Sequence, residues 1–439
     1  MTDFQSPALT RRALLTAIGG VTAINSVANA ATELPISSRE LWGWVRAQQV
    51  LDPGITYLDT GAIGPGLRAA LAAEYRQQEL FNSDIDTYQR TFLGPSVLTA
   101  LMKRLATLIG CTADELTITQ GASEALSIVA QGLQLAAGDE VIVTSHAHAS
   151  AIYPWLLQAQ RRGIVVKQVA LPSPLQNAEQ PLGLIASMVT DRTRVIAISH
   201  LQHTDGAILP VAEICRFARQ RSILTMVDGA QAMGSLDIDI NALNCDFYAA
   251  SLHKWLNGPY GLGLLYIRRA LLPVVAPVNV DSNYGWSLIN RYGQASLDDQ
   301  VERATWPATL AQFGCSIRFL GPKLKALEAA LEFREQLGAD RIEARIRELA
   351  IYARLRLQAL NEIEILTPSQ PGMWGGLVSF RPRGSSQELV LRLKRSNKIA
   401  VAAVVNPSTP DVPEFSAVRA SFHIYNSHDD VERLVRALQ

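Results

Sequence analysis

Lys254 stands in the run Ser251-Leu252-His253-Lys254-Trp255-Leu256-Asn257-Gly258-Pro259, directly after an apolar stretch at 247–251 that reads as a strand. A lysine placed there can hold a carbonyl as a Schiff base if desolvation or a neighbouring cation lowers its pKa. The plainer reading is a surface lysine at a turn. Asp228-Gly229-Ala230-Gln231 closes another apolar stretch, 223–228. A carboxylate leaving an apolar strand is costly without a cationic partner. A protonated pyridine nitrogen is one such partner, and the protonated ring is an electron sink for a carbanion. The alternative is that Asp228 caps a helix.

Three more segments follow predicted strands. Thr119-Gln120-Gly121-Ala122-Ser123-Glu124-Ala125 passes straight into a helical pattern. Backbone N–H groups at a helix start, with a glycine and hydroxyls, make a phosphate cradle, although Ser123 or Thr119 would serve equally as an ordinary cap. His146-Ala147-His148 ends one strand, and Ser199-His200-Leu201-Gln202-His203 ends another. A metal centre is the rival reading for these histidines, but their spacing matches neither a helix-borne H-E-x-x-H nor a paired-cysteine pattern. No metal is expected.

Short β-rich runs at 116–119, 140–144, 165–170, 194–199, 223–228, 247–251 and 262–267 alternate with helical patterns such as 123–135 and 211–221. Such alternation predicts an α/β fold with a largely parallel sheet covered on both faces. Ligands of such sheets bind at the carboxyl ends of the strands, where all five segments fall. Beyond residue 300 the texture changes. Residues 321–360, rich in Lys, Glu, Leu and Ala, read as one extended helix, and 429–438 as the last. The expected division is a leader at 1–30, an N-terminal arm with a large α/β domain at 31–300, and a smaller C-terminal α+β domain at 301–439.

The 439 residues are 48% hydrophobic and carry 40 Lys+Arg against 40 Asp+Glu, a net charge of zero. That balance excludes a mainly disordered chain and argues against nucleic acid, whose phosphates need a positive face. Four cysteines with no C-x-x-C pair make neither a disulfide scaffold nor a zinc cage, and read as free, mostly buried thiols. At the start, Arg11-Arg12 precedes a short apolar run ending in Ala28-Asn29-Ala30, the order of a secretory signal. The run is too short and too polar to span a bilayer, so the chain is expected not to be membrane-embedded. The paired arginines point to twin-arginine export, in folded form, to the periplasm. An amphipathic N-terminal helix is the alternative.

Taken in order, T-Q-G-A-S-E-A, D-G-A-Q and S-x-H-K-W resemble the class V aminotransferase family of pyridoxal-phosphate enzymes, in its isopenicillin-N-epimerase-like and cysteine-desulfurase-like branch. The likeness runs from Tyr57-Leu58-Asp59-Thr60-Gly61-Ala62 to Val418-Arg419-Ala420-Ser421. With the leader, the chain is similar to periplasmic aminotransferases that tailor siderophores such as pyoverdine. The resemblance implies a fold-type I enzyme with pyridoxal 5'-phosphate on Lys254 and Asp228 at the pyridine nitrogen. It further implies Gln231 and His203 near the phenolic oxygen, and His148 stacked on the ring with His146 as rival. Gly121, Ala122 and Ser123 would bind the phosphate together with Ser251 and His253. Arg419 would grip the substrate carboxylate, with Ala62 beside it.

Thr305, in Glu302-Arg303-Ala304-Thr305-Trp306-Pro307, is an altered match to a threonine that reaches the partner subunit's phosphate in a homodimer. Residues 395–418 contain no cysteine, which disfavours a persulfide mechanism. The implied reaction is transamination of an α-amino-acid group, such as the glutamyl side chain of a siderophore. Epimerisation or C–S lysis is the alternative, and a cofactor-fold sensor or scaffold the non-enzyme reading.

Overall fold

The computed structural model describes residues 37–92, 95–278, 320–406 and 412–439. The leader, Thr305 and Cys315 lie outside them. Thirteen strands occur among the described residues: β1 (Thr56–Tyr57), β2 (Leu116–Thr119), β3 (Glu140–Thr144), β4 (Val165–Val169), β5 (Thr193–Ser199), β6 (Leu224–Asp228), β7 (Phe247–Ser251), β8 (Gly263–Ile267), β9 (Ile363–Ile365), β10 (Leu377–Pro382), β11 (Ile399–Ala400), β12 (Ala402–Asn406) and β13 (Phe415–Ser421). Seven of them form one sheet in the order β2-β8-β7-β6-β5-β3-β4. Only β8 runs against its neighbours; the pairs from β7 to β4 are all parallel.

These strands read as continuous apolar runs because both faces are covered. Ile142, Ile196, Ile198 and Val227 point into one core. Their alternates Val141, Val143, Val195, Ala197 and Met226 point into the other, under the helices Ala122–Gly132 and Ala149–Arg162. The period of two that sends alternate residues to opposite faces therefore builds two hydrophobic layers from one run of Val and Ile. With β8 the sole reversed strand, β2, β3, β5, β6 and β7 all end at the same edge of the sheet.

A second sheet, β12-β13-β10-β9, is antiparallel. Its core is shared with the helices Ala339–Gln358, Ser386–Asn397 and His428–Leu438 through Leu349, Ala353, Leu393, Val431 and Leu434. The last helix starts in a capping box, where Ser427 and Asp430 exchange bonds with each other's backbone. Early in the chain, β1 pairs in parallel with β11. Leu58 is buried in this second core. The N-terminal segment thus stitches onto the C-terminal unit.

Two expectations need correction. Residues 321–360 are not one helix: Gly321–Leu337 and Ala339–Gln358 are separated at Gly338, whose φ of 83° and ψ of 140° end the first helix. Nor does the core divide at residue 300. Leu324, Leu327, Leu331 and Leu337 of the first helix belong to the core of the large sheet, as do Ile342 and Ile346 early in the second; from Leu349 onward the second helix packs on the small sheet. The boundary between the two cores falls within the second helix, between Ile346 and Leu349.

Gly338 has no atom within 4 Å of where a Cβ would sit, so a side chain there costs only backbone strain. Gly338→Ala is expected to lower stability by about 1–3 kcal/mol in a urea melt while leaving the far-ultraviolet circular dichroism unchanged. A stability equal to wild type would show that the turn does not require glycine.

Candidate active site

Five strand ends converge at the carboxyl edge. β7 delivers Ser251 and, within the next turn, His253 and Lys254. β6 delivers Asp228 and then Gln231. β5 delivers His200 to His203, β3 delivers His146 to His148, and β2 delivers Gly121 to Ser123. The segment 59–66 lies over this edge. Gly64 donates its N–H to the carbonyl of His253 at 2.8 Å, and a Cβ on Gly64 would fall on the carbonyl of Lys254 itself. Glycine is required there by contact with the lysine's own peptide.

Lys254 is the electrostatic centre. Burial pushes its amine down to about 8, reinforced by Arg419 and opposed by Asp228 and Asp59. A substantial neutral fraction near neutral pH is what a nucleophilic or basic lysine needs. Asp228 is buried, and its carboxylate accepts from the N–H of Ala230 at 3.0 Å. Gln231 is pinned from two sides: its amide nitrogen donates to the Gly61 carbonyl at 2.8 Å, and its oxygen accepts from the Trp255 indole at 2.9 Å.

The structure separates the two rival histidines. His146 uses both ring nitrogens elsewhere, facing the Leu171 carbonyl at 3.2 Å and the Thr204 hydroxyl at 2.8 Å. Its ring packs edge-on against Phe415. His148 caps the helix Ala149–Arg162 through Ser150 and meets His203 edge-on at 5.0 Å. Burial lowers the His148 pKa, with Asp228 pulling the other way and Lys254 and Arg419 adding to the drop. His148, not His146, is therefore the ring within electrostatic reach of the lysine and Asp228. His203 is held well below its ordinary value, first by burial and then by the charges of His148, Arg419 and Lys254. His200 sits apart, bonded to the Tyr248 hydroxyl at 3.0 Å.

At the opposite end, Arg419 on β13 is buried. One terminal nitrogen donates to the His203 carbonyl at 2.9 Å and the other to Asp59 at 2.9 Å. Asp59 was not singled out as a site residue from sequence; the only signal was an acidic residue right after the short apolar pair Tyr57-Leu58. Burial raises its carboxyl pKa, an effect that the pairing with Arg419 opposes. Gly61 lies flat over this pair, and a Cβ there would come within 3.0 Å of the guanidinium carbon. Ala62, next in the chain, is exposed at the same lip.

The cradle at β2 fits a phosphate. Gly121, with φ of 148°, starts the helix Ala122–Gly132 with no side-chain cap, and the N–H of Ala122 points to the Ser251 hydroxyl at 3.2 Å. Ser123 is exposed in the first turn. Gly263 on β8 approaches so closely that a Cβ would overlap the Gly121 backbone. Around the lysine, buried His203 Nδ1, His253 Nδ1 and Arg419 Nε have no hydrogen-bond partner. Buried polar atoms are normally paired, so orphans clustered about one lysine mark a place built for a polar ligand. An aldehyde on Lys254, a ring nitrogen at Asp228 and a phosphate at Gly121 to Ser123 match this donor set. Among the described residues no three potential metal ligands cluster.

Because only the neutral amine attacks an aldehyde, the rate at which pyridoxal phosphate attaches to the apoprotein should rise about tenfold per pH unit below about 8 and level off above it. Stopped-flow absorbance over that range checks this. Arg419→Gln, which removes a positive neighbour, should move the midpoint upward. A flat profile would mean that the lysine is not held near neutrality.

With this geometry in view, the relatives can be compared. The family model for Aminotransferase class-V matches residues 57–434. The chain is 32% identical to isopenicillin N epimerase of Amycolatopsis lactamdurans, covering 91% of this chain and 98% of that protein. It is 29% identical to a probable cysteine desulfurase of Halalkalibacterium halodurans, over 89% and 94%. A solved structure of a C-DES lysine mutant, with glycine covalently linked to its pyridoxal-phosphate cofactor, superposes with a TM-score of 0.75 at 24% identity, covering 90% of this chain and 98% of that one. The fold is the fold-type I arrangement that the resemblance implies, and the expected cofactor, pyridoxal phosphate, stands. The chain belongs to the class V aminotransferase family of pyridoxal-phosphate enzymes.

Proposed function

We propose that this enzyme removes the α-proton of an amino-acid group gripped by Arg419, and that its net reaction is transamination. The observation that carries the reading is the pairing of a lysine held at about 8 with a buried, oriented guanidinium across one pocket. When bound, pyridoxal phosphate supplies the electron sink that makes the α-proton acidic. Asp228 would keep the ring nitrogen protonated, and Gly121 to Ser123 with Ser251 and His253 would hold the phosphate. His148 would lie against the ring, and Gln231 with His203 would face the phenolic oxygen. By gripping the carboxylate, Arg419 would orient the substrate's α-carbon, and the Lys254 amine would take its α-proton.

Desulfuration is set aside although a relative bears that name. Residues 395–418 contain no cysteine, and the buried Cys215 and Cys245 thiols are pushed up by burial, the wrong direction for a nucleophile. Epimerisation is the second reading, favoured by the isopenicillin N epimerase that matches almost end to end. C–S lysis is the third, since one structural neighbour is a cystine C–S lyase. All three begin with the same proton transfer. Purified enzyme incubated with single amino acids in deuterium oxide, without a keto acceptor, separates them. Transamination yields an α-keto acid stoichiometric with enzyme; α-deuteration with the amine retained and no keto acid would overturn it in favour of epimerisation.

The proposed setting is the periplasm, with a siderophore peptide as substrate and a second copy of the chain completing the site as a homodimer. This rests on Arg11-Arg12, Ala28-Asn29-Ala30 and the position of Thr305. Replacing both arginines by lysine should leave the protein in the cytosol by cell fractionation. Unchanged periplasmic recovery would refute the twin-arginine route.

A further inference from the structure

Trp255, the residue after the anchoring lysine, is fully buried, with its carbonyl and its indole nitrogen both hydrogen-bonded. Its carbonyl accepts from His423 Nε2 at 2.9 Å and from Arg334 Nη1 at 3.2 Å. Its ring stacks on His423 at 5.5 Å and 28°, and His423 stacks on Tyr425 at 5.1 Å and 27°. Tyr425 in turn meets the Thr60 hydroxyl. Glycines give the indole its room: a Cβ on Gly376 would come within 2.8 Å of the ring. The side chain therefore has one position and one direction for its N–H.

That N–H ends on Gln231. An indole nitrogen only donates, so the amide atom facing it at 2.9 Å is the oxygen. The amide nitrogen is thereby fixed on the opposite side, where one N–H goes to the Gly61 carbonyl at 2.8 Å. The other N–H has no partner among the described residues. A glutamine amide ordinarily flips to offer either a donor or an acceptor; here the flip would set the Trp255 N–H against an NH2 group, leaving a buried donor unpaired.

We infer that Trp255 is a positioning residue that locks the Gln231 amide so that it can only donate toward the cofactor's phenolic oxygen. The role rests on the pyridoxal-phosphate reading of the site. A fixed donor favours the ionised phenolic oxygen. The lock couples the residue next to Lys254 to the electronic state of the group that Lys254 carries.

The test is a spectroscopic pH titration of the holoenzyme, reading the midpoint of the bound cofactor's visible absorbance. Trp255→Phe keeps the stacked ring and removes the N–H, so the amide is free to turn. The midpoint is expected to rise by about one pH unit, the scale of one hydrogen bond to a charged group. Gln231→Glu keeps an acceptor toward Trp255 and replaces the inward donor by oxygen, and should raise the midpoint at least as far. The double variant should add nothing to Gln231→Glu alone. A Trp255→Phe protein with lower thermal stability but an unchanged midpoint would reduce the contact to core packing and overturn the inference. If Trp255→Phe does not load cofactor, Gln231→Glu decides: a rise supports the locked donor and an unchanged midpoint overturns it. Absence of any visible band in the wild type would instead defeat the cofactor reading, a different outcome from either.

Discussion

Two cations buried within reach of one another dominate this molecule. Lys254 and Arg419 each lower the other's comfort in a water-poor pocket, and burial penalises both. The offset comes from two carboxylates far apart in the chain, Asp228 from the sheet edge and Asp59 from the N-terminal segment. Acid and base alternate across the pocket, so the lysine retains a usable neutral fraction and the guanidinium stays aimed by its bonds to Asp59 and the His203 carbonyl. The tight approach of Gly61 and Gly64 is the steric expression of the same demand, since Asp59 reaches the guanidinium only if the intervening backbone lies directly against Arg419 and Lys254. Loss of either glycine would displace a countercharge as well as a loop.

Much of the large unit is legible because its strands obey a simple rule. Runs such as Glu140–Thr144 are apolar on both sides, start and stop within a residue of the expected bounds, and discharge their polar residues at one edge. Lys254, Asp228, Gly121 and His148 could be named because each follows such a run. Residues joined by tertiary contact escaped notice. Asp59 stands in the segment where the likeness begins, but its meaning arises only across the gap to Arg419. Trp255 reads as a hydrophobic filler until its indole is seen to end on Gln231. The choice between His146 and His148 is decided by Leu171, Thr204 and Phe415, residues distant in sequence. Gly338 was in plain sight, but a helical composition on both sides outweighed one glycine.

The reading of the reaction is narrowest where the chemistry diverges. With the cofactor as electron sink, α-proton abstraction would further need only an amine and an oriented substrate carboxylate, a first step that fits relatives with different names on one scaffold. What distinguishes them must lie in how the proton is returned, and in whether a leaving group is present. A cysteine-free stretch at 395–418 disfavours the persulfide branch on compositional grounds. Neutral histidines, His148 and His203, line the pocket that remains.

The parallel pairing of β1 with β11 bears on the order in which the molecule comes into being. All seven strands of the large sheet fall between residues 116 and 267, so the lysine, Asp228 and the phosphate cradle are complete when little more than half the chain has left the ribosome. Thr56, Tyr57 and Asp59 emerge far earlier, yet their partners Ile399, Ala400, Arg419 and Ser421 come last. During synthesis the N-terminal segment is therefore an unpaired edge waiting on its own C-terminus. In the roles proposed above, the nascent chain would own an anchor for its cofactor before it has a grip for its substrate, and the pocket closes only with about the final forty residues.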